Sequence, residues 1–196
     1  MQLIFLAPMT THLKLVILSF FMLVSTSSVL AQADDPDAPK KKIETKLTEV
    51  VTTDSLPASE LMKRAVNWVK AESKTYVKSK GATTDNKAEC TAIFLVKPKE
   101  LNPQVDYTGK ITMKVTIECK DSKYRYTVNE IKHTSKSGKT TAGSVDNVVP
   151  ECGSMSMDDI VWKKLKGEAM RYASQVVGDL KTGMTVDSSQ TPTDEW

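Results

Sequence analysis

The chain has 196 residues, of which 40% are hydrophobic and 26% are charged, and its formal net charge is +3. This small excess of bases is far from the strongly basic balance of nucleic-acid-binding domains, so no nucleic-acid partner is expected. The three cysteines and two histidines lack the paired spacing of a zinc site, so no metal or other cofactor is expected.

Residues 1–33 have the pattern of a secretory signal peptide. Lys14 precedes an apolar run, Leu15 to Leu23, and the small residues Ala31 and Ala33 supply a cleavage site. The run is shorter than the roughly 20 residues that span a bilayer, which disfavours the alternative of an uncleaved anchor. The residue directly after the cleavage site is Asp34 and not a cysteine, so a lipid anchor is not indicated. A periplasmic or secreted protein is expected, without a transmembrane segment after cleavage, and starting at either Met1 or Met9.

Residues 34–42 combine prolines with charges of both signs, which is typical of a flexible leader. The folded domain is expected to occupy residues 43–184. Alternation from Ile43 to Val51 predicts a first strand.

A first helix follows, with Asp54 or Ser55 as its N-cap and Pro57 in its first turn. Its apolar residues repeat at spacings of three and four, which predicts one buried face. They are Leu61, Met62, Ala65, Val66, Trp68 and Val69.

The next two strands differ in strength. Ser73 to Lys80 alternates weakly, and its lysines are typical of an edge strand. Ala88 to Lys97 is a stronger strand with apolar residues on both faces, Phe94 on one and Leu95 on the other. Such a strand is expected to be central, or covered on its second side.

The strongest pattern is a long hairpin from Gly109 to Thr134. Apolar residues alternate with polar ones along its first arm, as in a strand with one wet face. A two-residue turn at Asp121-Ser122 places apolar residues opposite each other without a register slip. The predicted pairs are Cys119 with Tyr124, Ile117 with Tyr126 and Val115 with Val128.

After a polar loop, a second helix is predicted, with Ser156 as its N-cap and Asp159 completing a capping box. One buried stripe runs along it. The stripe is Val161, Leu165, Ala169, Tyr172, Val176 and Leu180. Residues 185–196 are expected to form a disordered tail.

These elements predict an α+β domain of order β-α-β-β-β-β-α, with a five-stranded antiparallel sheet and both helices on one face. The spacing of Leu61, Ala65, Trp68 and Val69, together with the Lys-Asp-x-Lys-Tyr-Arg-Tyr run at Lys120 to Tyr126, resembles a family of secreted bacterial domains of unknown function. That family is common in Bacteroides relatives and is assigned a TBP-like (TATA-binding-protein-like) fold. The likeness spans roughly Ile43 to Leu180. It implies a fold and no catalytic residue.

Three classes of function stay open. A non-catalytic interaction module with an unknown envelope partner is favoured. The alternative is a binder of a small ligand or lipid in a cleft between sheet and helices, lined by Met113, Tyr124 and Tyr126. An enzyme is least favoured, because His133 and Cys152 flank one loop without a third group to orient them.

The wet face of the hairpin carries the candidate binding residues. They are Lys114, Thr116, Arg125 and Thr127. Arg is enriched at protein interfaces, which favours a partner-binding surface. The competing interpretation is that these are ordinary solvated residues.

The cysteines allow two interpretations. Cys90 and Cys119 form a disulfide in an oxidising compartment, or both are small core residues and Cys152 is free.

Overall fold

An antiparallel sheet with two helices on one face organises residues 44–98 and 105–185, the part of the chain that this computed structural model describes. The predicted signal peptide, the leader and residues 186–196 lie outside these residues. The elements in chain order are β1 (Leu47–Thr52), α1 (Ala58–Lys70), β2 (Val77–Thr83), β3 (Lys87–Val96), β4 (Gly109–Lys120), β5 (Lys123–Ser135), β6 (Gly143–Ser144) and α2 (Asp159–Thr185).

The order of strands across the sheet is β1-β5-β4-β3-β2, and β6 pairs with β5 beside β1. The predicted element order is confirmed, with β2 at an edge of the sheet. The two-residue strand β6 is an addition, in a stretch that was predicted as loop. Helix α2 continues to Thr185, the first residue of the predicted tail.

The predicted hairpin register is confirmed. Cys119 lies opposite Tyr124, Ile117 opposite Tyr126 and Val115 opposite Val128. The turn places Ser122 at φ 60°, a left-handed conformation that glycine adopts more readily.

Strand β5 contains a bulge that changes which of its side chains face the core. Lys114 pairs with Asn129 and Thr112 pairs with Lys132, so Glu130 and Ile131 both fall opposite Met113. Glu130 takes φ 51°. Even-numbered positions are buried before the bulge and odd-numbered positions after it. The buried residues are Tyr124, Tyr126 and Val128, and then Ile131, His133 and Ser135.

Strand β3 lies between β2 and β4, so its predicted interior position is correct. Phe94 points toward the helices and stacks between Tyr76 and Tyr172, with ring centroids 4.8 and 4.2 Å away. On the other face Leu95 is 86% exposed. The apolar residues there are therefore an open surface rather than a second core.

The N-caps of both helices differ from those predicted. Pro57 precedes α1 without a side-chain cap, and the backbone N–H of Ala58 donates to Asp121 Oδ1 instead. At α2, Asp158 Oδ1 accepts the N–H groups of Ile160 and Val161 at 2.9 and 2.8 Å. The cap is therefore Asp158 and not Ser156, because the helix begins later than the capping-box pattern suggested.

Candidate functional site

The sheet face turned away from the helices is the candidate site, and we call it the open face. Its positions on β3, β4 and β5 alternate with the buried ones. Outside the bulge these positions carry seven bases and two acids. The bases are Lys87, Lys110, Lys114, Lys120, Lys123, Arg125 and Lys132, and the acids are Glu89 and Glu118. All four predicted binding residues lie on this face.

Ion pairs hold two of those four side chains. Arg125 and Glu118 are cross-strand partners, and Arg125 Nη2 and Nε lie 2.7 and 2.8 Å from Glu118 Oε2. Glu89 Oε1 lies 3.0 Å from Lys87 Nζ and 3.4 Å from Lys114 Nζ. Hydrogen bonding to Lys87, assisted by the charge of Lys114, lowers the pKa of Glu89. The two acids therefore contact three of the seven bases, Lys87, Lys114 and Arg125, and leave the face with a net positive charge.

A row of hydroxyl groups, with Glu89 at one end, lies between the Glu118–Arg125 pair and Lys114. Thr116 pairs with Thr127, and Thr127 pairs with Thr48 on β1. Thr48 Oγ1 donates to the Tyr126 carbonyl at 2.9 Å and lies 3.2 Å from Thr127 Oγ1. The middle of the open face thus offers hydroxyl groups flanked by cations.

Two shallow depressions flank Arg125. One, of about 460 Å³, lies toward Thr48 and Thr127, and the other, of about 450 Å³, lies toward Asn86 and Lys123. Arg125 and Glu118 line both. Arg125 therefore lies between two depressions and is accessible from both.

Of the two interpretations of the cysteines, the structure supports core residues with a free Cys152 over a Cys90–Cys119 disulfide. Cys90, Cys119 and Cys152 are free thiols. Cys90 pairs with Val115, four residues from Cys119 along β4, a separation of about 13 Å that a disulfide cannot bridge. Burial raises the pKa of both Cys90 and Cys119 to about 11, so these thiols are small core residues.

His133 and the residues predicted to line a cleft are packed in the interior of the domain. His133 is buried, and its Nδ1 accepts the Ala142 N–H at 3.3 Å, which ties β5 to the following loop. Met113, Tyr124 and Tyr126 are buried in the core, so they fill the space between sheet and helices instead of lining a cleft. Among the described residues, no three His, Cys, Asp or Glu side chains are grouped as metal ligands. Within residues 44–98 and 105–185, neither helix is long and apolar enough to cross a membrane.

The order of elements and the two helices on one sheet face define a TBP-like α+β domain. Residues 47–134 match the family model described as "Domain of unknown function (DUF4468) with TBP-like fold", which confirms the predicted resemblance. This match extends from the first residue of β1 to the penultimate residue of β5, a narrower stretch than the predicted likeness.

Solved structures agree on the fold. A TBP-like protein from Parabacteroides distasonis is 15% identical with a TM-score of 0.52, covering 77% of this chain and 99% of its own. A DUF4468 family protein from Bacteroides ovatus is 7% identical with a TM-score of 0.53, covering 76% of this chain and 92% of its own. The search of curated proteins gave no match. At these identities the likeness carries fold and not function.

Proposed function

We propose that this chain is an exported, non-catalytic interaction module whose open face binds an acidic surface on a partner protein outside the cytoplasm. The observation that carries the proposal is the excess of bases on an accessible sheet face with Arg125 at its centre. The pattern of residues 1–33 supports export.

Preorganisation supports a binding role for Arg125. An arginine usually loses side-chain freedom when a partner immobilises it, at a cost of about 0.5–1.5 kcal/mol. Glu118 already holds this guanidinium through two close contacts. A carboxylate on the partner would thus meet a positioned guanidinium, with the Thr116 and Thr127 hydroxyls beside it.

The test is a double charge reversal, Lys114→Glu with Arg125→Glu, followed by crosslinking in cells. Exposed ion pairs contribute about 0–1 kcal/mol, so the melting temperature should change little while partner capture is lost. The matched control is Lys163→Glu with Lys164→Glu, which alters net charge equally at exposed positions of α2. The control should retain capture. Undiminished capture by the folded open-face variant would move the binding site elsewhere, with the loop from Ser135 to Cys152 next to be examined.

Export is tested separately by N-terminal sequencing of the protein from the cell envelope or medium. The expected first residue is Asp34, because Ala31 and Ala33 precede it as small residues of the cleavage site. Recovery of chains that begin at Met1 or Met9 would contradict export with cleavage.

A further inference from the structure

An exposed apolar patch occupies one end of the open face. Leu95 is 86% exposed and Val77 is 66% exposed. Ile93 lies directly opposite Val77 in the β2–β3 register, and it is two residues from Leu95 on the same face. We call these three aliphatic residues the apolar corner. Clustered aliphatic side chains exposed to water are typical of a surface that binds a protein or a membrane.

Lysines border the apolar corner. Lys110 pairs with Leu95 across β3 and β4, and a depression of about 570 Å³ is lined by Leu95, Lys110 and Lys136. Asp106 lies at the same end. Hydrogen bonding to Thr108 lowers the pKa of Asp106, and the charges of Lys97 and Lys136 lower it further, which places both lysines nearby. Three lysines and Asp106 therefore lie around the Leu95 end of the corner. At the other end Val77 lines a depression with Glu72, Lys78 and Lys80, so bases outnumber acids at both ends.

We propose that the apolar corner docks on an anionic lipid surface. Protein interfaces are enriched in aromatic residues and Arg and depleted in Lys, whereas this corner and its border consist of aliphatic residues and lysines. Lysine stems extend along apolar surface while their ammonium groups reach phosphates, which suits the boundary of a bilayer. The charges are complementary to those of an anionic membrane. This proposal is independent of the partner-binding proposal, because it uses the opposite end of the open face from Arg125.

Position-specific fluorescence tests the proposal. The protein as produced by cells, carrying Leu95→Trp, is mixed with vesicles of phosphatidylglycerol and phosphatidylcholine in equal amounts. Emission should shift to the blue as the new indole enters the lipid. The matched variant is Val50→Trp, at an exposed position on the same face beside Arg125. Its emission should not shift. No shift from position 95, or equal shifts from both, would overturn the proposal.

Charge reversal tests the basic border. Lys110→Glu with Lys136→Glu should lower partition into the anionic vesicles by about tenfold or more, since each lysine near such a surface contributes about 1 kcal/mol. The control is Lys120→Glu with Lys123→Glu, a facing pair at the other end of the same hairpin, with the same change in net charge. Any contribution of residues 1–33 is common to all variants. Equal losses in both double variants would overturn the proposal, and so would corner-dependent capture of a protein without vesicle binding.

Discussion

The carboxylate of Asp121, in the turn between β4 and β5, accepts the backbone N–H of Ala58, the first residue of α1, at 2.8 Å. Two backbone hydrogen bonds surround this contact: Ser122 N–H donates to the Leu56 carbonyl, and Thr53 N–H donates to the Ser122 carbonyl, both at 2.8 Å. The tip of the hairpin therefore supplies the cap that the sequence before α1 does not, and it fixes the path from β1 into the helix.

Removing this cap should destabilise the fold. Asp121→Ala is expected to lower the free energy of unfolding by about 1 kcal/mol, because the Ala58 N–H loses its acceptor and the helix dipole loses a nearby negative charge. Urea unfolding measures the change. Asp121→Asn keeps an acceptor oxygen and should lose less. Equal stability of the alanine variant and the wild type would show that the contact contributes nothing.

Two glycines should respond to alanine in opposite directions. A Cβ at Gly109 would lie 2.3 Å from the Thr134 carbonyl oxygen and 2.8 Å from Ser135 Cα, so the β4–β5 backbones would have to separate. Gly109→Ala should cost about 1–3 kcal/mol, as overpacking does. Gly167 lies in α2 with open space around it, so Gly167→Ala should stabilise by about 0.5–1 kcal/mol. Thermal unfolding of both variants distinguishes them, and equal signs would contradict the packing at Gly109.

The three thiols should differ in reactivity. Because Cys90 and Cys119 are buried and their pKa values are raised to about 11, neither should react with a thiol reagent near pH 8 while the chain is folded. Cys152 is only half-buried and should react first. Mass spectrometry of the unreduced protein should find three free thiols after denaturation. A Cys90–Cys119 disulfide found in that measurement would contradict the β3–β4 register.

Stability should fall as the pH is lowered below the ordinary pKa of histidine. Burial lowers the pKa of His133, an effect that a hydrogen bond with the Tyr107 backbone opposes. Its stabilising contribution is thus complete above pH 6.5, the ordinary value, and is lost as the pH falls toward the lower folded-state pKa. Through this one group the free energy of unfolding should fall by at most about 1.4 kcal/mol per pH unit. In urea unfolding from pH 7 to 5, His133→Asn should flatten the profile, and an unchanged slope would contradict this assignment.

The hairpin was predictable because its own sequence determines it. Once Ile117 faces Tyr126 on the apolar side, alternation places Glu118 opposite Arg125 on the other side. The Arg125–Glu118 ion pair was therefore readable from the sequence. The Lys114–Glu89 contact was not, because it depends on the β3–β4 register, and the connection between those strands does not fix that register. The separation of Cys90 from Cys119, which left two interpretations of the cysteines open, depends on the same register.

The cap of α1 could not be predicted from the sequence for a related reason, because a distant residue supplies it. Asp121 is 63 residues from Ala58, so no local pattern around α1 identifies it. Strand β6 has only two residues, too few to show alternation. The bulge did leave a signal, since Val128 and Ile131 are both buried at a spacing of three, and regular alternation would have required two or four. The binding role of the open face stays a prediction.

The bulge at Glu130 also determines which changes in length the gene can accept. Deleting the codon for Glu130 would remove the extra residue and restore regular alternation, with Ile131 alone opposite Met113 and Ile131, His133 and Ser135 still facing the core. Losing one codon from the exposed loop around Gly138 would leave every strand in phase. A frame-preserving deletion at residue 130 should therefore be tolerated, whereas deleting Lys132 would turn His133 and Ser135 toward water and should be far more damaging than any single substitution there.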